Sequence, residues 1–433
     1  MSSTGSVSKR GAKPKGLGAY IVVTGAYWSF MLTDGALRML VLLHFHTLGF
    51  TALELAYLFL LYELMGVVTN LSAGWIAARF GLISTLYAGL SIQIAALVAL
   101  TLLDPGWAIL TSVVFVMAVQ GASGVAKDLT KMSAKSAVKV LAPPDDSGTL
   151  FRWVAALTGS KNAVKGLGFL LGAVLLATVG FATAVIAMAA GLALVFLAVL
   201  LVMPKGLPAP RKSAKFREVF SKDRNINRLS AARLFLFGAR DTWFVVGIPI
   251  YFYTVLSDGS AEANRTAFFQ VGAFMALWII GYGAVQAFAP RILGAAKMSL
   301  ADTAAATRAW CARLFFIPLA LALIVLTAPT IETPPLWLTL TLLAGLLLFG
   351  FVFALNSSLH SFLILAFSTN QRVTLDVGFY YMSNAAGRLL GTLLSGLSYQ
   401  VGGLSLCLGT AAAMLAASWV CARGLREEEG RDG

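Results

Sequence analysis

Pro204-Lys-Gly-Leu-Pro-Ala-Pro-Arg211-Lys-Ser-Ala-Lys215-Phe-Arg-Glu-Val-Phe-Ser-Lys222-Asp-Arg-Asn-Ile-Asn-Arg228 is the longest polar stretch inside an otherwise apolar chain. Three prolines break any continuous helix there, and eight of its residues are Lys or Arg. Apolar stretches recur on both sides, each long enough to cross a hydrocarbon core about 30 Å thick. Six precede it, at 18–44, 51–78, 83–103, 107–138, 149–179 and 181–203. Six follow, at 229–256, 265–290, 307–328, 334–368, 372–400 and 403–422. Composition agrees: of 433 residues 58% are apolar and only 12% charged, where a soluble domain carries roughly 25% charged. The chain therefore reads as an all-α integral membrane protein of twelve transmembrane helices. Its expected parts are a basic tail (1–17), a six-helix bundle (18–203), a linker (204–228), a second six-helix bundle (229–422) and a short tail (423–433).

The net charge of +14 raises nucleic acid as a partner, but the placement of the charge argues for membrane sorting instead. Basic residues crowd the N-terminal tail (Lys9, Arg10, Lys13, Lys15), the linker, and the connections bearing Arg79, Arg291, Lys297, Arg372, Arg423 and Arg426. The alternate loops carry Asp104, Asp258, Glu262 and Glu332, with Arg265 their one basic residue. By the excess of positive charge on inner loops, both termini are expected in the cytoplasm, with anionic lipid as the contact of the basic faces and no nucleic acid. The first apolar stretch is too long for a signal h-region and reads as a retained span. Cys311, Cys407 and Cys421 are far apart, implying neither a disulfide framework nor a CxxC metal site. His44 and His46, two apart, face opposite sides of a helix and cannot share a metal ion. No Walker motif, nucleophile elbow or catalytic carboxylate pair occurs, so neither an enzyme, a cofactor nor a metal is expected.

Weak internal similarity crosses the linker. Phe30-Met-Leu-Thr-Asp34-Gly-Ala resembles Phe235-Leu-Phe-Gly-Ala-Arg240-Asp241, and Lys161-Asn-Ala-Val-Lys165 resembles Ser383-Asn-Ala-Ala-Gly387-Arg388. Parallel six-helix repeats with a substrate site between them are the arrangement of major facilitator transporters. Gly74-Trp-Ile-Ala-Ala78-Arg79-Phe-Gly81 resembles that superfamily's GxxxD(R/K)xG loop, with Ala78 in place of the acid.

Charges inside spans are unfavourable and are functional suspects for that reason. Lys127 and Lys131, and Lys161 and Lys165, form two i, i+4 pairs. Twenty residues in from Trp107, Lys127 falls at the cytoplasmic edge of the fourth span. It and Lys131 either guide substrate or snorkel to water and lipid, as Lys135 and Lys139 should. Lys161 and Lys165 lie deeper, and no Asp or Glu occurs between Ser147 and Pro204. Their counter-ion is then an anionic ligand or a carboxylate on another helix. Asp34 and Arg38 can meet on one helix face, whereas adjacent Arg240 and Asp241 point about 100° apart and should find different partners. Arg38 and Arg240 are candidate clamps for phosphate-like or carboxylate oxygens, or members of a structural ion-pair network. Asp34, Glu63, Asp241 and Asp376 are candidates for proton coupling. Glu63, with no close basic partner in sequence, leads them unless it is only hydrogen-bonded to a neighbouring helix. His360 sits among Asn356, Ser357, Ser358 and Ser361 and either lines a cavity or bonds between helices.

Three strings carry a narrower likeness: Ala26-Tyr-Trp28 through Asp34 and Arg38 to His44-Phe-His46, Gly124-Val-Ala-Lys127-Asp128 to Lys139, and Phe151-Arg152-Trp153 to Lys161-Asn162-Ala-Val-Lys165-Gly. Together they resemble the ArsJ family of organoarsenical efflux transporters, over nearly all of residues 17–422. The resemblance implies export of 1-arseno-3-phosphoglycerate across a bacterial inner membrane. A glyceraldehyde-3-phosphate dehydrogenase, the implied functional partner, makes that compound when arsenate replaces phosphate. Such a cargo calls for cations and hydrogen-bond donors, where trivalent arsenic would favour thiolates. A transporter of another phosphorylated or carboxylated anion, and a non-transporting scaffold or sensor, are the competing readings.

Overall fold

The computed structural model describes residues 17–104, 106–141, 147–203, 220–294, 298–328, 334–368 and 373–425. Among them the regular elements are α-helices. Before the linker come α1 (Leu17–Thr47), α2 (Ala52–Phe80), α3 (Leu82–Leu100), α4 (Ile109–Leu141) and α5 (Ser147–Val202). After it come α6 (Arg224–Phe244), α7 (Gly247–Leu256), α8 (Ala261–Ile292), α9 (Leu300–Thr327), α10 (Leu336–Phe367) and α11 (Val373–Arg423).

Two of these helices each carry two crossings. α5 bends at Gly180 (φ 76°, ψ 175°) and α11 at Gly402 and Gly403 (the latter φ 60°), backbone angles that glycine adopts without steric cost. The limbs 147–179 and 181–202 thus answer to the two spans expected there, as do those on either side of Gly402. The seventh span, expected as one helix over 229–256, differs. It starts at Arg224, where the Asp223 side chain caps it by accepting from the Ile226 amide at 2.9 Å, and it breaks between Phe244 and Gly247. Pro249 has no amide hydrogen to continue the ladder back into α6. The Val246 and Gly247 amides freed at the break donate instead to Ser395 Oγ on α11, at 3.1 and 3.2 Å. With α6 and α7 forming one crossing, the helices make twelve.

In lipid, no water drives helices together, so close backbone approach has to hold them. Gly35, Gly168 and Gly172 bring α1 against α5, and Gly238, Gly387 and Gly391 bring α6 against α11. A methyl at Gly172 would run into the Ala36 carbonyl, and one at Gly387 into the Leu234 carbonyl. One apolar core centres on Phe30, Phe59 and Leu97 of the first half and another on Trp243, Trp278 and Phe349 of the second, each joined by residues of the other half, such as Val246 in the former and Phe169 in the latter. The halves meet where Gly396 of α11 packs on Ala52 and Ala56 of α2, and where Gly166 of α5 packs on Ala276 of α8. Leu110, Leu194, Leu201 and Leu326 point outward as lipid contacts. The side chains of Ala78, Arg79, Lys135, Lys139 and Arg152 lie outside the described residues.

Overpacking such a contact costs about 1–3 kcal/mol. Gly172→Ala and Gly387→Ala should therefore each lower the midpoint of thermal unfolding in detergent, followed by tryptophan fluorescence. Gly25→Ala and Gly409→Ala, where nothing lies within 4 Å of an added methyl, should not. Equal melting of all four variants would rule out glycine contact as the constraint that sets the helix spacing.

Candidate functional site

An ionised side chain at the centre of a span is unfavourable by roughly 2.5–3.5 kcal/mol on insertion scales, so the distribution of the charges decides what this bundle can do. Helical geometry puts residues three and four apart on one face. α4 thereby aims Lys127 and Lys131 inward, α5 Lys161 and Lys165, and α6 Arg233 and Arg240. With Arg38 of α1 and Arg388 of α11, these eight cations line one cavity of about 250 Å³. Three carboxylates share its wall, Glu63, Asp128 and Asp241, and Asp34 stands behind Lys165. Eight cations thus face four carboxylates. All six cationic residues singled out in the sequence lie on this wall.

The carboxylates are bound as follows. Asp34 Oδ2 pairs with Lys165 Nζ at 3.1 Å, and its Oδ1 accepts from the Tyr62 hydroxyl at 2.6 Å. Glu63 Oε1 accepts from both Arg38 Nη2 at 2.6 Å and Arg388 Nη2 at 2.5 Å. Asp241 accepts from Arg240 Nε at 2.6 Å and Arg388 Nε at 3.3 Å. Asp128 pairs with Lys131 at 3.2 Å and accepts from Thr69 at 2.7 Å. Lys127 forms no ion pair among the described residues; its ammonium lies 4.1 Å from the centre of the Tyr62 ring. The two halves repeat one device: a carboxylate on the first helix of each, Asp34 or Asp241, pairs with a cation on the fifth, Lys165 or Arg388. In the aligned strings Asp241 falls two places and Arg388 one place beyond Asp34 and Lys165, so the sequence puts the four residues near each other across the repeat without matching them.

Several expectations need correction. Asp34 and Arg38 do not bond each other, because Lys165 and Tyr62 claim the first and Glu63 the second. Arg240 and Asp241 do bond each other: the long arginine stem curls back across the angle between neighbouring side chains. Glu63 does not lack basic partners; they come from α1 and α11, 25 and 325 residues away. Of the two counter-ions left open for Lys165, the structure shows a carboxylate on another helix, Asp34. Lys127, placed at the cytoplasmic edge of its span by counting, is buried among the helices beside Tyr62. Asp376 is buried at the start of α11 and is absent from the cavity wall.

Two wall cations were not among the sequence candidates. Arg388 had a signal, its alignment near Lys165 across the repeat. Arg233 had only its helical spacing from Arg240. The polar run of α10 divides between uses: Ser361 lines the cavity, Ser357 supports Arg233 from behind, and His360 is fully buried off the wall. His44 stacks on Phe181 with ring centres 4.1 Å apart, and His46 meets Tyr253 edge-on at 5.0 Å.

The wall reaches Asn70, Lys131, Gln286 and Ser361, near the helix ends that flank the linker. At the opposite end Ala52, Ala56 and Gly396 close the bundle. The cavity therefore opens toward the linker side. No family model and no curated protein sequence matches the chain. Solved structures match it in shape. One is a POT family transporter in complex with 5-aminolevulinic acid (TM-score 0.68, 15% identity, covering 94% of this chain and 95% of that one). Another is a POT family transporter in complex with a thioalcohol-conjugated peptide (TM-score 0.66, 15% identity, 94% and 97%). A third is a variant of the nucleoside transporter NupG (TM-score 0.68, 15% identity, 95% and 98%). The fold is that of the major facilitator transporters. The chain is a multi-pass membrane protein of that architecture, and the cavity lies between the two halves, where such folds place their substrates.

Removing one partner from a buried ion pair costs about 3–5 kcal/mol, because the charge left behind stays desolvated. Glu63→Gln should lower stability by that order, whereas Arg291→Ala on the surface should change it by less than about 0.5 kcal/mol. Adding Arg38→Gln to Glu63→Gln should recover part of the loss by removing the orphaned guanidinium. Additive losses in a double-mutant cycle would refute the coupling.

Proposed function

We propose that this chain exports 1-arseno-3-phosphoglycerate from bacterial cytoplasm by proton-coupled alternating access, and so confers resistance to arsenate. The observation that carries the reading is the surplus of cations on the cavity wall, eight against three carboxylates with Asp34 behind Lys165, among the described residues. In a low-dielectric bundle that surplus calls for a multiply negative occupant. Phosphate and arsenate ester groups supply such charge, and the likeness to organoarsenical efflux transporters in the strings around Asp34, Lys127 and Lys161 narrows the class to this cargo. Cys311, Cys407 and Cys421 are absent from the wall, as suits an oxyanion better than a thiol-seeking trivalent arsenic.

In this scheme Arg38, Lys127, Lys131, Lys161, Lys165 and Arg240 hold the cargo. The helices of 18–203 and 229–422 act as two units rocking about it, joined by the linker 204–228. Both termini and the linker face the cytoplasm, so a cavity open on that side loads from the compartment where a glyceraldehyde-3-phosphate dehydrogenase makes the compound. Of the proton-coupling candidates Asp34, Glu63, Asp241 and Asp376, Asp34 is favoured: protonating it would release Lys165 to the ligand. The POT family transporters of the same fold are in complex with 5-aminolevulinic acid and with a thioalcohol-conjugated peptide, which supports a small-molecule cargo. A different phosphorylated or carboxylated anion would use the same cations, and the test below separates the two. A scaffold or sensor gains nothing from lining a cavity with eight cations.

Arsenate-sensitive cells carrying this chain together with the dehydrogenase should grow at arsenate concentrations that stop cells carrying either one alone. Lys161→Ala with Lys165→Ala should abolish the protection, and everted vesicles should take up the labelled organoarsenical. Protection without the dehydrogenase would overturn the cargo. Full protection by the double variant would overturn the site.

A further inference from the structure

We infer that Arg233 forms a second oxyanion subsite, so that the ligand carries two separate anionic groups, one held from the lysine side of the cavity and one by this guanidinium. The inference rests on the reading of the cavity as an anion site and divides that site in two.

Arg233 is 5% exposed, on the cavity wall. An arginine cannot shed its charge, yet no carboxylate lies within ion-pair distance of it among the described residues. Its partners are neutral: Nη1 donates to the Ser357 carbonyl and hydroxyl at 3.0 and 3.1 Å, and Nε donates to Asn384 Oδ1 at 3.2 Å. The plane of the guanidinium is fixed by aromatic faces, with Cζ 3.9 Å from the centre of the Phe237 ring and 5.0 Å from that of Tyr380. Ser357 is itself held, its hydroxyl accepting from Gln286 Nε2 at 3.1 Å. A charge this buried, unmatched and rigidly held is preorganised.

Its free donors fix the ligand chemistry. Nη2 makes no hydrogen bond to a described residue and is not sealed among the buried unpartnered atoms, so it faces the cavity. Because guanidinium only donates, the Asn384 atom that touches it must be the carbonyl oxygen. That leaves the Asn384 amide hydrogens to point elsewhere, and Asn384 also lines the cavity. Two neighbouring donors, one of them charged, suit an oxyanion with at least two oxygens. Lys127, which likewise has no ion pair among the described residues, belongs to α4, whereas Arg233 belongs to α6. The two open charges thus sit on opposite halves of the bundle. A ligand that satisfies both ties the halves together.

The test uses purified full-length protein in lipid nanodiscs and three probes: 3-phosphoglycerate, which has both anionic ends, glycerol 3-phosphate, which has only the phosphate, and glycerate, which has only the carboxylate. Affinity is read from tryptophan fluorescence or ligand-induced thermal shift. Wild type should bind 3-phosphoglycerate at least tenfold more tightly than either single-ended probe. Arg233→Gln should erase that advantage and weaken one single-ended probe; Lys127→Gln should erase it and weaken the other. Arg233→Lys, which keeps the charge but lacks the planar fork, should restore only part of the preference and guards against a folding defect in the glutamine variant. If Arg233→Gln weakens all three probes alike, its role is structural and the inference falls. Equal binding of all three probes by wild type also overturns it while leaving the anion cavity standing. If wild type binds none of them, the anion reading fails and takes the inference with it.

Discussion

One carboxylate oxygen, Glu63 Oε1, receives a guanidinium from each half of the molecule, Arg38 of α1 and Arg388 of α11. Charge of either sign is tolerable at this depth only when matched, so the position of Glu63 governs how closely α2 and α11 can approach. The same two helices pack directly through Ala52, Ala56 and Gly396 at the closed end. Small residues seal one end and a shared ion pair spans the middle. The lysine-rich mouth carries more cations than the described carboxylates on its wall.

This arrangement follows from a repeated local rule more than from a single designed site. In each half an acid on one helix meets a cation on a glycine-spaced neighbour: Asp34 with Lys165 across Gly35 and Gly168, and Asp241 with Arg388 across Gly238 and Gly391. Close backbone approach makes the pairs short, and the short pairs hold charges that lipid would expel. Arg388 departs from the symmetry by reaching both Asp241 and Glu63, and that departure couples the halves. A lysine in its place could donate to two acceptors but lacks the flat fork that spans them.

The spans were legible because hydropathy is a property of short windows. The bends at Gly180 and Gly402 were legible as short connections between such windows. The break after Phe244 was not, since it depends on Pro249 together with a hydroxyl, Ser395, about 150 residues away on α11. The wall cations were legible as lysines and arginines in apolar surroundings, which is itself an improbable pattern. Their pairing was not, because Glu63 and Lys165 find partners on other helices, and a helical wheel describes only one helix at a time. Arg233 shows the limit most clearly: its surroundings are Ser357, Asn384, Phe237 and Tyr380, none of which announces a binding site in sequence.

On the proposed reading, the cavity's surplus cations must be re-neutralised once an anion leaves, before the bundle can return. Glu63 offers one resource. Its second oxygen, Oε2, is buried and has no hydrogen-bond partner, an unfavourable state for a carboxylate oxygen. That orphan acceptor sits in a wall that also holds Lys127, whose ammonium has only the face of Tyr62 beside it. An unpaired acceptor and an unpaired donor in one cavity define two arrangements of the same charges. With ligand present, the lysine is committed to the anion and Glu63 serves only the two arginines. With ligand gone, Oε2 is free to accept the lysine or a proton. An equilibrium between such arrangements needs no large energy difference to be shifted by ligand, only a ligand that satisfies one of them better than the other.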